Sequence, residues 1–177
     1  ADRPPRSSGV MASSDVPTAA QIYRLPTSAI SPGRWPPSMV IADTGFWLAL
    51  ASRSDRHHAN AKAALASLRE AFITTWPVMT ETCHLMVKRL GATSQLKFLK
   101  SYAEGSFVVF DLSQTHAVRM QALMRDYVDL PMDLADASLV ILAEHLGHGR
   151  ILSTDRRDFQ SYRWKNHRPF ENLLLPD

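Results

Sequence analysis

From residue 39 onward the apolar positions of the chain fall into two rhythms, and before it into none. Five short runs have the length and the β-branched or aromatic content of strands: Met39–Ala42, Phe72–Thr75, Phe107–Phe110, Arg150–Ser153 and Phe170–Leu174. Between them stand stretches with apolar residues at helical spacing. Phe46–Ser52 has room for a turn or two, and His57–Ala71 carries Ala61, Ala64, Leu65 and Leu68 on one face. Thr80–Leu90 stops at Gly91 and Ser94–Ala103 at Gly105, the residue type expected just past a helix. Thr115–Tyr127 carries Val118, Leu123 and Met124, and Leu134–Leu146 is strongly apolar and ends at Gly147. Trp76-Pro77 is expected to end the second strand.

Strands separated by one or two helices need crossover connections, which implies a parallel sheet with helices on both faces. The expected fold is therefore α/β, a three-layer α/β/α domain over residues 39–177 with a central parallel sheet of four to five strands. Residues 1–38 are different. They hold seven of the eleven prolines and seven serines, with no regular apolar period, and cannot bury enough surface to offset their ordering entropy. They read as a Pro/Ser-rich tail, a linker or a vector-derived remnant, and Met39 stands directly before the first strand.

Composition changes this picture little. The net charge of +3 divides into +2 for residues 1–38 and +1 for the rest, so it is weak evidence for a nucleic-acid partner. No apolar run approaches the roughly 20 residues of a membrane span, and none near the N-terminus has the roughly 7–15 residues of a secretory signal. A single cysteine, Cys83, supports neither a disulfide framework nor a multi-cysteine zinc site, so a reducing cytoplasm is the expected location.

The acids are more telling. Ligands of open parallel sheets bind outside the carboxyl ends of the strands. The first strand ends in Ala42-Asp43-Thr44 and the fourth in Ser153-Thr154-Asp155. Glu81 opens the helix after the second strand, and Asp133 and Asp136 open the helix before the fourth. Carboxylates brought to one rim repel one another unless a cation neutralises them, and hard oxygen donors favour Mg²⁺ or Mn²⁺. Such a site activates water for attack on a phosphodiester. Neither a Gly-x-Gly-x-x-Gly nor a Walker-type loop is present to cradle a nucleotide.

Each acid also has an ordinary structural reading. Asp133 and Asp136 have the spacing of a helix N-cap and its reciprocal partner. Glu81 gains from the helix dipole, and Asp43 and Asp155 serve equally as turn or cap residues. Asp158 is expected to cap a short helix. Arg156 and Arg157, beside Asp155, are candidates for contact with an RNA backbone, or a plain solvated pair. His57 and His58 are expected at an exposed surface, and Cys83 as a small buried hydrophobe.

Val40-Ile-Ala-Asp-Thr-Gly-Phe-Trp47, Thr80-Glu-Thr82, Asp133-Leu-Ala-Asp-Ala-Ser-Leu139 and Leu152-Ser-Thr-Asp-Arg-Arg-Asp-Phe159 occur in this order across residues 39–177. Together they resemble the successive motifs of PIN domains, and among those the VapC-type toxins of bacterial toxin–antitoxin pairs. The resemblance implies a PIN-like fold and a Mg²⁺- or Mn²⁺-dependent endoribonuclease, usually a homodimer, neutralised by a cognate antitoxin. It places a catalytic quartet on Asp43, Glu81, Asp136 and Asp155, with Asp43 and Asp136 as the direct metal ligands. Thr154 matches a hydroxyl that orients the last acid, and Asp133 is a secondary candidate. Two other readings stand beside it: a PIN nuclease of RNA processing that works without an antitoxin, and a non-catalytic α/β module with an acidic rim, such as a phosphoacceptor domain. The latter needs an acidic pair at the first strand and a lysine near the end of the last, and no lysine follows Lys165.

Overall fold

A computed structural model describes residues 38–176; of the proposed tail, residues 1–38, all but Ser38 lies outside the described residues. Four strands of the main sheet follow the expected runs. They are β1 (Met39–Ala42), β2 (Ala71–Thr75), β3 (Val108–Phe110) and β4 (Arg150–Leu152). Helices α1 (Thr44–Ala51) and α2 (His58–Ser67) connect β1 to β2, and α3 (Trp76–Leu90) and α4 (Ala92–Ala103) connect β2 to β3. A short 3-10 turn, α5 (Ala117–Asp126) and α6 (Leu134–Leu146) lead to β4. After it come α7 (Arg156–Ser161), a hairpin of β5 (Arg163–Trp164) and β6 (Arg168–Pro169), and β7 (Glu171–Asn172).

The sheet has five strands in the order β3-β2-β1-β4-β7, and every pair is parallel. All residues of β1 and β2 are buried, so both faces are covered, as a parallel sheet requires. One part of the core is aromatic. Trp47 of α1 packs against Phe107 with ring centroids 4.5 Å apart and against Phe98 of α4 at 5.5 Å. Another part is the run Ala135–Ala143 of α6, whose small and aliphatic side chains lie against β1, β2 and α3.

Several boundaries differ from expectation for local reasons. Trp76-Pro77 does not merely end β2. Pro77 occupies the first turn of α3, where its missing N–H has no helical partner to lose, so the helix starts four residues before Thr80. The helix expected over His57–Ala71 ends at Ser67, because Ala71 pairs with Met39 as the first residue of β2. The cap of the short helix α7 is Asp155 rather than Asp158, whose own N–H donates to Asp155 Oδ1 at 3.0 Å. The β5–β6 hairpin was not expected; strands of two residues carry no periodicity to read. His58 is not a solvated side chain either, since its Nδ1 donates to the Ala49 carbonyl at 2.7 Å.

Candidate active site

The order of strands along the sheet reverses between β1 and β4, which makes the gap beyond their carboxyl ends the topological switch point. Asp43 stands there. Its backbone N–H continues the ladder by donating to Leu152 O at 3.0 Å, and its side chain then caps α1 by accepting from Thr44 N at 2.7 Å. The carboxylate is 8% exposed, and its second oxygen accepts from Ser153 Oγ at 2.7 Å. Burial pushes this acid up to about 6; the Glu81 charge adds to the shift, while the Ser153 and Thr44 hydrogen bonds oppose it.

Glu81 reaches the same place from the second turn of α3. Thr44 Oγ1 donates to its Oε2 at 2.6 Å, and Thr82 Oγ1 in turn donates to Thr44 Oγ1 at 3.3 Å. Asp136 arrives from the first turn of α6, half-buried, and is pushed up to about 7 by burial and by the charges of Asp133 and Asp43. The Tyr162 hydroxyl donates to Asp136 Oδ2 at 3.2 Å. Tyr162 is itself fully buried, packed on Tyr127 and Phe159, and its phenol is pushed well above its ordinary value, first by burial and then by Asp136. It is a donor at any physiological pH.

The remaining acids hold other positions. Asp133 is exposed and caps α6, accepting from Asp136 N at 2.9 Å, while Asp133 N donates a longer bond to Asp136 Oδ2 at 3.5 Å. The capping-box geometry and the proximity to Asp43 thus coexist in one residue, Asp136. Asp155 is exposed; its Oδ1 is spent on the α7 cap, and its N–H donates to Ser153 Oγ at 2.9 Å. The structure therefore brings Asp43 beside Glu81 and Asp136 and links Asp155 to Asp43 only through Ser153.

Ser153 and Tyr162 are the site residues that the sequence reading missed. A hydroxyl orienting Asp155 was expected at Thr154. The hydroxyl bonded to the Asp155 N–H is instead that of the preceding residue, Ser153, which bridges Asp43 and Asp155. Thr154 packs against Gly45, where any Cβ would collide with its Oγ1, so it fits α1 against the β4–α7 loop. Strand alternation could have favoured Ser153, since one of two consecutive hydroxyls must turn inward. No local signal marks Tyr162. Arg157 is exposed on α7 and lowers the acidity cost at Asp158, whereas Arg156 donates to Pro176 O at 2.8 Å.

Among the described residues no three His, Cys, Asp or Glu side chains stand grouped so as to hold a metal ion between them. The donor set still suits a hard cation. Two neighbouring carboxylates held above their ordinary range are relieved by positive charge, and Mg²⁺ is commonly bound by one or two carboxylates while it keeps several waters.

Comparison with known proteins agrees with this architecture. Ribonuclease VapC26 of Mycobacterium tuberculosis is 27% identical over 124 residues, which span 70% of this chain and 92% of that protein. The crystal structure of M. tuberculosis VapC20, described as a sarcin–ricin loop cleaving toxin, shares the fold with a TM-score of 0.63 at 20% identity, over 68% of this chain and 92% of that one. The PIN domain family model matches residues 40–165, from β1 through the start of the hairpin, and the chain belongs to the PIN domain family.

Proposed function

We propose that this chain is a divalent-metal-dependent endoribonuclease of the VapC type, acting as the toxin of a toxin–antitoxin pair. The observation that carries the reading is the gathering of Asp43, Glu81 and Asp136 at the switch point, with Asp43 and Asp136 held above the ordinary carboxylate range by burial and by neighbouring acids. A likeness to a named ribonuclease, spanning nearly its whole length, supports the same reaction class.

Asp43 and Asp136 would hold the ion, Mg²⁺ or Mn²⁺, which when bound supplies an acidified water and neutralises charge growing on the phosphate. Ser153 fixes the rotamer of Asp43 by engaging one oxygen, and Tyr162 does the same for Asp136. Thr44, itself bonded by Thr82, holds Glu81 as the third carboxylate, able to orient a water through its free oxygen. Asp155 would complete the border of the site, and the exposed Arg157 beside it would meet a phosphate of the RNA backbone. Asp133 acts through Asp136, as its cap. Family chemistry would leave a 5′-phosphate and a 3′-hydroxyl, and a cognate antitoxin and a second copy of the chain are the expected partners.

The test is cleavage of total RNA by the purified chain with Mn²⁺, Mg²⁺ or EDTA, beside Asp43→Ala and Asp136→Ala. Discrete metal-dependent fragments that both substitutions reduce by at least about 10²-fold are expected. No cleavage with either metal, from folded protein free of antitoxin, would return the acidic rim to a binding role. Cleavage that survives both substitutions would displace the site.

A further inference from the structure

A second concave surface lies at the opposite end of the sheet. A cleft of about 560 Å³ opens there between the start of β4 and the β5–β6 hairpin. His148, Arg150, Lys165 and Arg168 line it together with Trp164 and Phe170, and Glu171 is the single acid among its described residues.

The hairpin holds two of its cations, Lys165 and Arg168, outward, while Arg163 Nη1 donates to the carbonyls of Gln160, Ser161 and Tyr162. Its sequence, Arg163-Trp-Lys-Asn-His-Arg168, contains three formal positive charges and no acid. Lys165 and Asn166 both sit in the left-handed region, at φ 46° and 64°, where side chains other than glycine are seldom found. The surroundings hold them there. Lys165 N donates to Glu144 Oε1 at 2.9 Å, and Arg119 Nη2 donates to Asn166 Oδ1 at 2.5 Å. Trp164 is buried, its indole N–H donates to Pro169 O at 2.9 Å, and it lies so close over Gly149 that a Cβ there would strike the ring. The tip is fixed, and the side chains of Lys165 and Arg168 are exposed and form no ion pair with a described residue. The nearby Glu144 is already held by Arg119 at 2.7 Å.

The chemistry of the surface selects the partner. Among the described residues the exposed large apolar side chains, such as Trp76, Val87, Leu96 and Leu99, lie elsewhere, and of the cleft's own aromatics Trp164 is buried and Phe170 half-buried. A protein partner seeks an apolar or aromatic interface core, whereas a phosphate backbone needs cations alone. α6 links the two ends, running from Asp136 at the acid rim to Leu146 beside the cleft, a rise of about 15 Å. That length matches roughly four or five base-pair steps of a duplex strand.

We propose that the β5–β6 cleft is a second, non-catalytic site for the phosphate backbone of RNA, engaging substrate beyond the scissile bond. The proposal rests on the ribonuclease reading and deepens it, since only RNA long enough to span both ends gains from the contact. The test uses the full chain in EDTA with two probes, an RNA hairpin whose stem has about 20 base pairs and a single-stranded RNA of about four nucleotides. Lys165→Gln/Arg168→Gln should weaken binding of the long probe about tenfold at low salt, and reduce its log K against log salt slope by about 1.5 to 2. Binding of the short probe should change less than about twofold. With metal added, kcat/KM on the long RNA should fall by the same factor. Lys165→Gln alone gives half the change in slope and serves should the double variant fold poorly. Unchanged affinity and slope for the long RNA, or equal losses on both probes, would overturn the exosite. So would loss of poly-glutamate binding with RNA binding intact, which would assign the cleft to an acidic protein. Wild-type chain that binds the long RNA through these residues but never cleaves it would sink the nuclease reading and leave the site standing.

Discussion

At the lower edge of the sheet, Glu70 ahead of β2 accepts from Arg150 Nη1 at 2.7 Å, and Arg119 of α5 meets Glu144 of α6 at the same distance. At the upper edge Asp43, Glu81 and Asp136 gather with no ion pair to any described residue. The lower pairs settle each other: the Arg150 hydrogen bond holds Glu70 below its ordinary value, and Glu144 holds the Arg119 guanidinium above its own. Asp43 and Asp136 are displaced the other way, to about 6 and about 7. One edge uses charge to hold the fold together. The other keeps charge unbalanced at a cost in stability, which fits the cation and anionic substrate proposed for it.

The sharpest way to break this comparison is Asp43→Asn. The side chain keeps its size and an acceptor for Thr44 N, but loses the charge. Cleavage should drop by at least about 10²-fold. Stability of the metal-free chain should rise at the same time. The folded acid is raised, so the folded protein holds its proton more tightly between about pH 4 and 6, and stability is lost as pH rises through that window. Asparagine removes that loss, giving a gain of about 1–3 kcal/mol at pH 7.5 that disappears near pH 4. Denaturant unfolding in EDTA at the two pH values measures it. A variant less stable than wild type at pH 7.5 would show that the rim is not strained by charge.

Much of this contrast was legible in the sequence because it is written at strand ends. An apolar run closed by an acid, as at Ile41-Ala42-Asp43, predicts both the strand and the rim position of the carboxylate. The parallel sheet followed from the alternation of strands and helices. What escaped depended on contacts across the chain. Tyr162 meets Asp136 over a separation of 26 residues, through packing on Tyr127 that no spacing reveals. The inward turn of Ser153 rather than Thr154 is decided by the approach of Gly45. The hairpin is held by Arg119 and Glu144, which belong to helices far earlier in the chain.

Tyr162→Phe sharpens the comparison from within the rim. It deletes the hydrogen bond to Asp136 Oδ2 and leaves the ring contacts with Tyr127 and Phe159. That bond favours the ionised carboxylate, so its loss should raise Asp136 further and weaken metal binding. A drop of about tenfold in Mn²⁺ affinity is expected, as for loss of an outer partner of a ligand, and it can be read calorimetrically without turnover. The acid limb of the cleavage profile should move to higher pH. A purely structural role would lower stability and leave both the affinity and the profile in place.

The smallest effect is expected at the lower edge, and it tests the other half of the comparison. Glu70→Gln removes the charge that Arg150 binds, on a pair whose side chains are 20% and 32% exposed. Solvent screens such a pair, so the loss should be only about 0.5–1 kcal/mol at pH 7. The folded acid is lowered here, so its contribution is present above the ordinary carboxylate range and fades as pH falls through the folded value. Wild type and Glu70→Gln should therefore converge in acid, whereas Asp43→Asn departs from wild type as pH rises and gains where Glu70→Gln loses. Cleavage of a short RNA should be the same in Glu70→Gln as in wild type. If Glu70→Gln stabilised the chain at neutral pH, the lower edge would be strained like the upper one, and unbalanced charge would no longer distinguish the active end of the sheet.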